Sequence, residues 1–124
     1  MEIGAKSTST LVVTEQLTAA VMGSGDLPVL ATPAMIALME NAAMMAVAEA
    51  LPEDQTTVGS LMNASHLKPT AVGDTVVATA TLVAAEGRKL TFRVEAHDSE
   101  GLIGEGNHVR YIVSREKFLA KLKR

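Results

Sequence analysis

Residues Thr32–Leu51 read TPAMIALMENAAMMAVAEAL, and this stretch decides the fold. Thr32-Pro33 opens a helix: threonine can cap with its hydroxyl, and proline is pre-set for the first helical position. Pro52 stops it, so the helix is predicted from Thr32 to about Leu51. It is apolar nearly all round, which places it in the core rather than on the surface. Glu40 and Glu49 are the only ionisable groups between Leu27 and Leu51. A membrane span wants about 20 uninterrupted apolar residues, and Pro28, Pro33 and a mid-segment carboxylate interrupt this one. A buried helix is the expectation.

Before the helix, Lys6–Thr14 (KSTSTLVVT) reads as a strand and Glu15–Met22 as a short helix or turn, with a break at Gly23-Ser24-Gly25-Asp26. Four strand-like segments follow it. Thr56–Leu67 ends at Lys68-Pro69, and Thr75–Ala85 opens at Gly73-Asp74. In Lys89–His97, Leu90, Phe92, Val94 and Ala96 alternate with Lys89, Thr91, Arg93, Glu95 and His97. Leu102–Val113 is the last. Glu86-Gly87-Arg88 and Asp98–Gly101 are short turns, so the last three strands are expected as an antiparallel meander. Ser114 caps a terminal helix, REKFLAKLKR. This order predicts a single α+β domain over residues 1–124, of the hotdog type: a long buried helix wrapped by a curved antiparallel sheet.

Composition narrows the function. The chain has 124 residues, 48% hydrophobic and 20% charged, enough for one core without staples. The absence of cysteine removes disulfides, thiolate nucleophiles and sulfur-ligated metals. Phe92, Tyr111 and Phe118 are the only aromatics and the net charge is −3, which argues against stacked or phosphate-bound nucleic acid. No apolar h-region follows the first charges, so a cytoplasmic protein without a membrane partner is expected.

The candidate chemical groups are Thr32, Glu40 and His66. A carboxylate in an apolar helix either reaches water at the helix edge or finds partners that mark a site. His66 shares strand parity with Val58, Met62 and Ala64. His97 and His108 read as structural, and Met35, Met39, Met44 and Met45 as core rather than metal ligands. Gly101–Gly106 precedes no helix and so is not a dinucleotide loop. The Asn63-Ala64-Ser65 sequon has no visible route to secretion.

The segments LATPAMIALMENAA, TTVGSLMNASHLKPT and LVAAEGRKLTFRVEAHDSEGLIGEGNHVRY resemble the fluoroacetyl-CoA thioesterase group of hotdog proteins, from about Thr10 to Lys121. The resemblance includes a threonine, seven residues, a glutamate, 25 residues and a histidine, met by Thr32, Glu40 and His66. It implies that these three are catalytic, that Gly59 lies near the thioester carbonyl and that Arg110 lines the pocket. It implies no metal and no cofactor beyond the coenzyme A of the substrate. The halide-specific relative has phenylalanines just before the threonine, whereas Gly23–Leu30 here holds no aromatic. Pro33 and Asn41 also replace different residues.

Thioester hydrolysis needs a proton shuttle, an activated oxygen and donors for the developing oxyanion. His66 suits the first task. Glu40 suits orientation, base or nucleophile; Thr32 suits capping alone, holding the water or acting as nucleophile, and positioning is the expected role, because threonine is a weak nucleophile without a closely held base. The expected activity is hydrolysis of a small acyl-CoA. The alternatives are a hydratase or dehydratase on acyl thioesters, and a non-catalytic acyl- or CoA-binding module. The edge of Thr56–Leu67 is expected to pair with its twin in a homodimer or dimer of dimers. Gly59 and His66 lie seven residues apart, about 23 Å along a strand, so a carbonyl touching both requires a site shared between two chains. Their odd spacing requires either a bulge between them or a glycine that contributes only its backbone N–H.

Overall fold

The computed structural model describes residues 1–123. Strand β1 (Lys6–Val12) leads through a 3-10 turn (Glu15–Leu17) to the short helix α1 (Ala19–Met22). The Thr18 hydroxyl caps α1 on the Val21 N–H, and Gly23 closes it in the left-handed region at φ +81°. Helix α2 spans Thr32–Ala48. Strands β2 (Gln55–His66), β3 (Thr75–Glu86), β4 (Lys89–Asp98) and β5 (Gly101–Ser114) follow, and helix α3 (Arg115–Ala120) is capped by Ser114. The sheet is antiparallel in the order β1-β3-β4-β5-β2, with the expected meander at its centre. Its edges are β1 and β2. This is the hotdog architecture, α2 lying against one face of a single curved sheet.

Alternation builds the core. Val76, Ala78, Ala80 and Leu82 of β3, with Leu90, Phe92, Val94 and Ala96 of β4, are all buried. They meet Met35, Leu38, Met39, Ala42, Ala43 and Val47 of α2. The small alanines and Gly104 of β5 let the helix come close; a methyl group at Gly104 would lie 2.6 Å from Met35 Sδ. With one aromatic in this core, the flexible methionines fill the remaining gaps. Met35 and Met39 are buried as expected, but Met45 is 51% exposed.

Four expectations need correction. Thr32 does not cap α2: Ala31 holds the cap position without a side-chain bond, and Thr32 is the first helical residue. The cause is the chain before it. Leu30 N–H bonds Thr70 O and Ala31 N–H bonds Leu17 O, so the chain is held extended through Ala31. The helix also ends at Ala48, because the N–H groups of Ala50 and Leu51 make turn bonds to Val47 O and Ala48 O instead. Nor is α2 covered all round. Ala37, Asn41 and Met45 are exposed, since a single sheet covers one side of a helix only.

The last correction concerns β2. Gly59 pairs with Arg110 but Leu61 with Val109, so Ser60 is an extra residue in a bulge. The bulge switches the facing parity of the strand. Thr57 and Gly59 before it, and Met62, Ala64 and His66 after it, thereby share one face. Val58, grouped with His66 by simple alternation, belongs to the other face. Of the two options that the odd spacing left open, the bulge is present.

Candidate active site

Two groups of polar side chains form along α2 and β2. At the start of α2, Thr32 Oγ1 lies 2.7 Å from His66 Nδ1. The strand-like pins on Leu30 and Ala31 set the first turn of α2 against the end of β2. Freed from capping, the threonine hydroxyl turns to the imidazole. His66 Nε2 is buried without a hydrogen-bond partner. Burial holds the imidazole below its ordinary value of 6.5, against a smaller upward pull from the Lys68 backbone. A cavity of about 240 Å³ opens here, with Ala19, Val29, Leu30 and Pro69 as apolar wall and Ser24 and Lys68 as further polar groups.

The second group lies eight helical residues on, about 12 Å away along α2. Glu40 Oε2 is 3.9 Å from Arg110 Nη1. Gly59 faces the same carboxylate: a methyl group there would lie 2.8 Å from Glu40 Oε2 and 3.3 Å from Arg110 Nη1. Arg110 is 6% exposed, so it is sunk behind Glu40 and Gly59 rather than laid along a cavity wall. Its Nε donates to Thr57 Oγ1 at 2.8 Å, its Nη2 to Thr57 O at 2.9 Å and its Nη1 to His108 Nε2 at 3.1 Å. Burial lowers the arginine from its ordinary value, and the charge of Glu40 opposes that shift. A cavity of about 230 Å³ is lined here by Ile36, Glu40, Gly59, Leu61, Met62 and His108, with Ser60.

Within one chain, then, Thr32 stands with His66 and Glu40 stands with Gly59 and Arg110. The two groups share one face of β2, His66 at its last residue and Gly59 seven positions earlier, near mid-strand. His97 is exposed, in line with its place on the polar side of β4. His108 is not a bystander. It is 1% exposed and bonded at both nitrogens, to Leu61 O at 2.7 Å and to Arg110. Burial pushes its imidazole down; the Leu61 bond opposes this and the nearby Arg110 charge adds to it. Thr57 was likewise missed. The available signal was parity: Gly104, Gly106, His108 and Arg110 alternate on one face of β5, an unusual place for two ionisable groups. Among the described residues no cluster suited to a metal ion occurs, and no helix is long and apolar enough to cross a membrane.

The geometry agrees with known proteins. The family model described as the fluoroacetyl-CoA-specific thioesterase matches residues 13–116. The fluoroacetyl-CoA thioesterase of Streptantibioticus cattleyicolor is 41% identical over 95 residues, 77% of this chain and 68% of that protein. A solved fluoroacetyl-CoA thioesterase superposes with a TM-score of 0.92 at 36% identity, covering 99% of this chain and 96% of that one. A variant of it solved with fluoroacetate and CoA gives 0.89 at 35% identity, over 95% and 99% of the two chains. A hypothetical Thermus thermophilus protein of the thioesterase superfamily gives 0.91 at 31% identity, over 99% and 91%. The chain therefore belongs to the fluoroacetyl-CoA-specific thioesterase family and is a hotdog-fold thioesterase.

Proposed function

We propose that the protein hydrolyses the thioester of a small acyl group carried on coenzyme A, as a homodimer whose active sites each draw on two chains. The observation that carries this reading is the division of the site along β2. Thr32 and His66 lie at the end of the strand, Glu40 and Gly59 near its middle, and the outer edge of β2 is unpaired within the chain. Antiparallel pairing of two such edges near Met62 and Asn63 brings Gly59 of one chain beside His66 of the other. Glu40 travels with Gly59, because the two are in contact distance within each chain.

Thr32 acts in this reading as the oxygen nucleophile. A weak nucleophile needs a held base, and His66 Nδ1 is that base at 2.7 Å. Nε2 is enclosed, so proton traffic runs through Nδ1 and the hydroxyl. The hydroxyl proton passes to Nδ1 as Oγ1 bonds the carbonyl carbon. The C–S bond then breaks and the thiolate takes that proton, leaving coenzyme A and an acyl-threonine. Water hydrolyses the ester with His66 again as base, and the proton returns to Oγ1. Glu40 of the partner chain orients that water, and the Gly59 backbone N–H faces the developing oxyanion.

The test is a panel of acetyl, propionyl, butyryl and fluoroacetyl-CoA with free thiol as readout, followed by acid quench and mass analysis. Turnover with acyl label on Thr32 is the expected result; hydration of an enoyl-CoA, or binding without turnover, would overturn the reading. The apolar wall of the cavity at Thr32 is aliphatic, with no phenylalanine, tyrosine or tryptophan among its lining residues. Fluoroacetyl should therefore not be favoured by about 10³-fold, near 4 kcal/mol.

A further inference from the structure

We propose that His108, held as the Nδ1–H tautomer, is a positioning residue that ties the β2 bulge to Arg110 and so sets the Gly59–Glu40 half of the site. Its two bonds fix its state. Leu61 O can only accept, so Nδ1 must carry the proton; Arg110 Nη1 can only donate, so Nε2 must offer a lone pair. An imidazole with both nitrogens engaged shuttles no proton, unlike His66 with its unpartnered Nε2.

What it holds is specific. Leu61 directly follows the extra residue Ser60, at the point where the β2–β5 register slips. At that slip the His108 N–H donates to the Leu61 carbonyl at 2.7 Å. On its other side the ring accepts from the same Nη1 that faces Glu40 Oε2. Thr57 holds the other two Arg110 nitrogens. Take His108 away and Nη1 loses a partner inside the protein while the bulge loses its tie; both changes converge on Gly59, whose open side lies against His108 Cε1, Glu40 Oε2 and Arg110 Nη1.

Glutamine is the discriminating replacement. Its amide sets a donor N–H and an acceptor oxygen on one carbon, as the imidazole sets Nδ1–H and Nε2 on Cε1. The inference rests on the thioesterase reading for its kinetic arm only. Long-range ¹H–¹⁵N spectra of the full protein should show Nδ1 of His108 protonated and Nε2 unprotonated. His108→Gln should keep kcat within about threefold, while His108→Leu should lose about 10²-fold in kcat with KM little changed, the pattern of lost transition-state positioning. An Nε2–H tautomer, or a glutamine variant as slow as the leucine one, would overturn the proposal. If the leucine variant does not fold, the spectra and the glutamine variant decide. If the native protein cleaves no thioester, the functional reading fails and the spectra alone judge His108.

Discussion

Gly59 and Glu40 stand so close that a methyl group on the glycine would lie 2.8 Å from the carboxylate Oε2. Eighteen residues lie between them in sequence, and the pairing of Gly59 with Arg110, just before the bulge at Ser60, turns the glycine toward the helix. The carboxylate belongs to a flexible side chain that is 41% exposed and can swing aside, but the same methyl would lie 3.2 Å from His108 Cε1 and 3.3 Å from Arg110 Nη1, both buried and hydrogen-bonded. Gly59→Ala should therefore lower stability by about 1–3 kcal/mol, the cost of slight overpacking, and leave the chain folded. Its kcat should fall about tenfold or more, because Glu40 is displaced. Thermal unfolding read beside kinetics checks both; an unchanged kcat in the folded variant would show a packing role alone.

Mixing inactive chains tests the sharing of sites. Gly59→Val with His66→Ala should regain activity in mixed dimers, because one site per heterodimer is intact. Glu40→Ala with His66→Ala should behave the same way, since Glu40 travels with Gly59. Thr32→Ala with His66→Ala should stay inactive, because both lesions fall in the same half. Mixed dimers that form but never exceed their parents would mean each chain builds its own site, and a stable monomer in light scattering would remove the dimer altogether.

His66→Ala should lower turnover by about 10²-fold or more, the range for losing a general acid–base group. Thr32→Ser, which keeps the hydroxyl on Nδ1, should retain much of the activity that Thr32→Ala loses. His97→Ala, on the exposed face of β4, should change little. Equal losses at His66 and His97 with folding intact would move the site elsewhere.

Stability should decline in mild acid. His66 and His108 both titrate below 6.5 in the folded chain, chiefly through burial. As pH falls through 6.5 the unfolded chain takes up these protons first, so unfolding is favoured until the folded values are passed. Melting at fixed protein concentration should show Tm falling from about pH 7.5 to about 5.5, less steeply in His108→Gln. A flat or rising profile would mean that neither imidazole is held neutral.

Much of this molecule was legible in its residues. Period-two alternation in Lys89–His97 named the buried face of β4 in advance, because facing is a local property of an extended chain. Thr32-Pro33 likewise marked the start of α2 to within one residue, since Ala31 and not Thr32 holds the cap position. The resemblance of the segments around Thr32, Glu40 and His66 to fluoroacetyl-CoA thioesterases pointed to the family that the comparison shows. Other features depended on partners distant in sequence. Whether Thr32 caps or bonds His66 is decided by Leu17 and Thr70, which hold Leu30 and Ala31 extended. Whether Gly59 and His66 share a face is decided by β5, since a bulge exists only relative to the strand it pairs with. His108 read only as structural, without partners, because those two, a carbonyl across the sheet and a guanidinium two residues on, meet only when β2 and β5 are side by side. Periodicity is written within each element; the side-chain bonds that make a site are made between elements, and only packing brings their ends together.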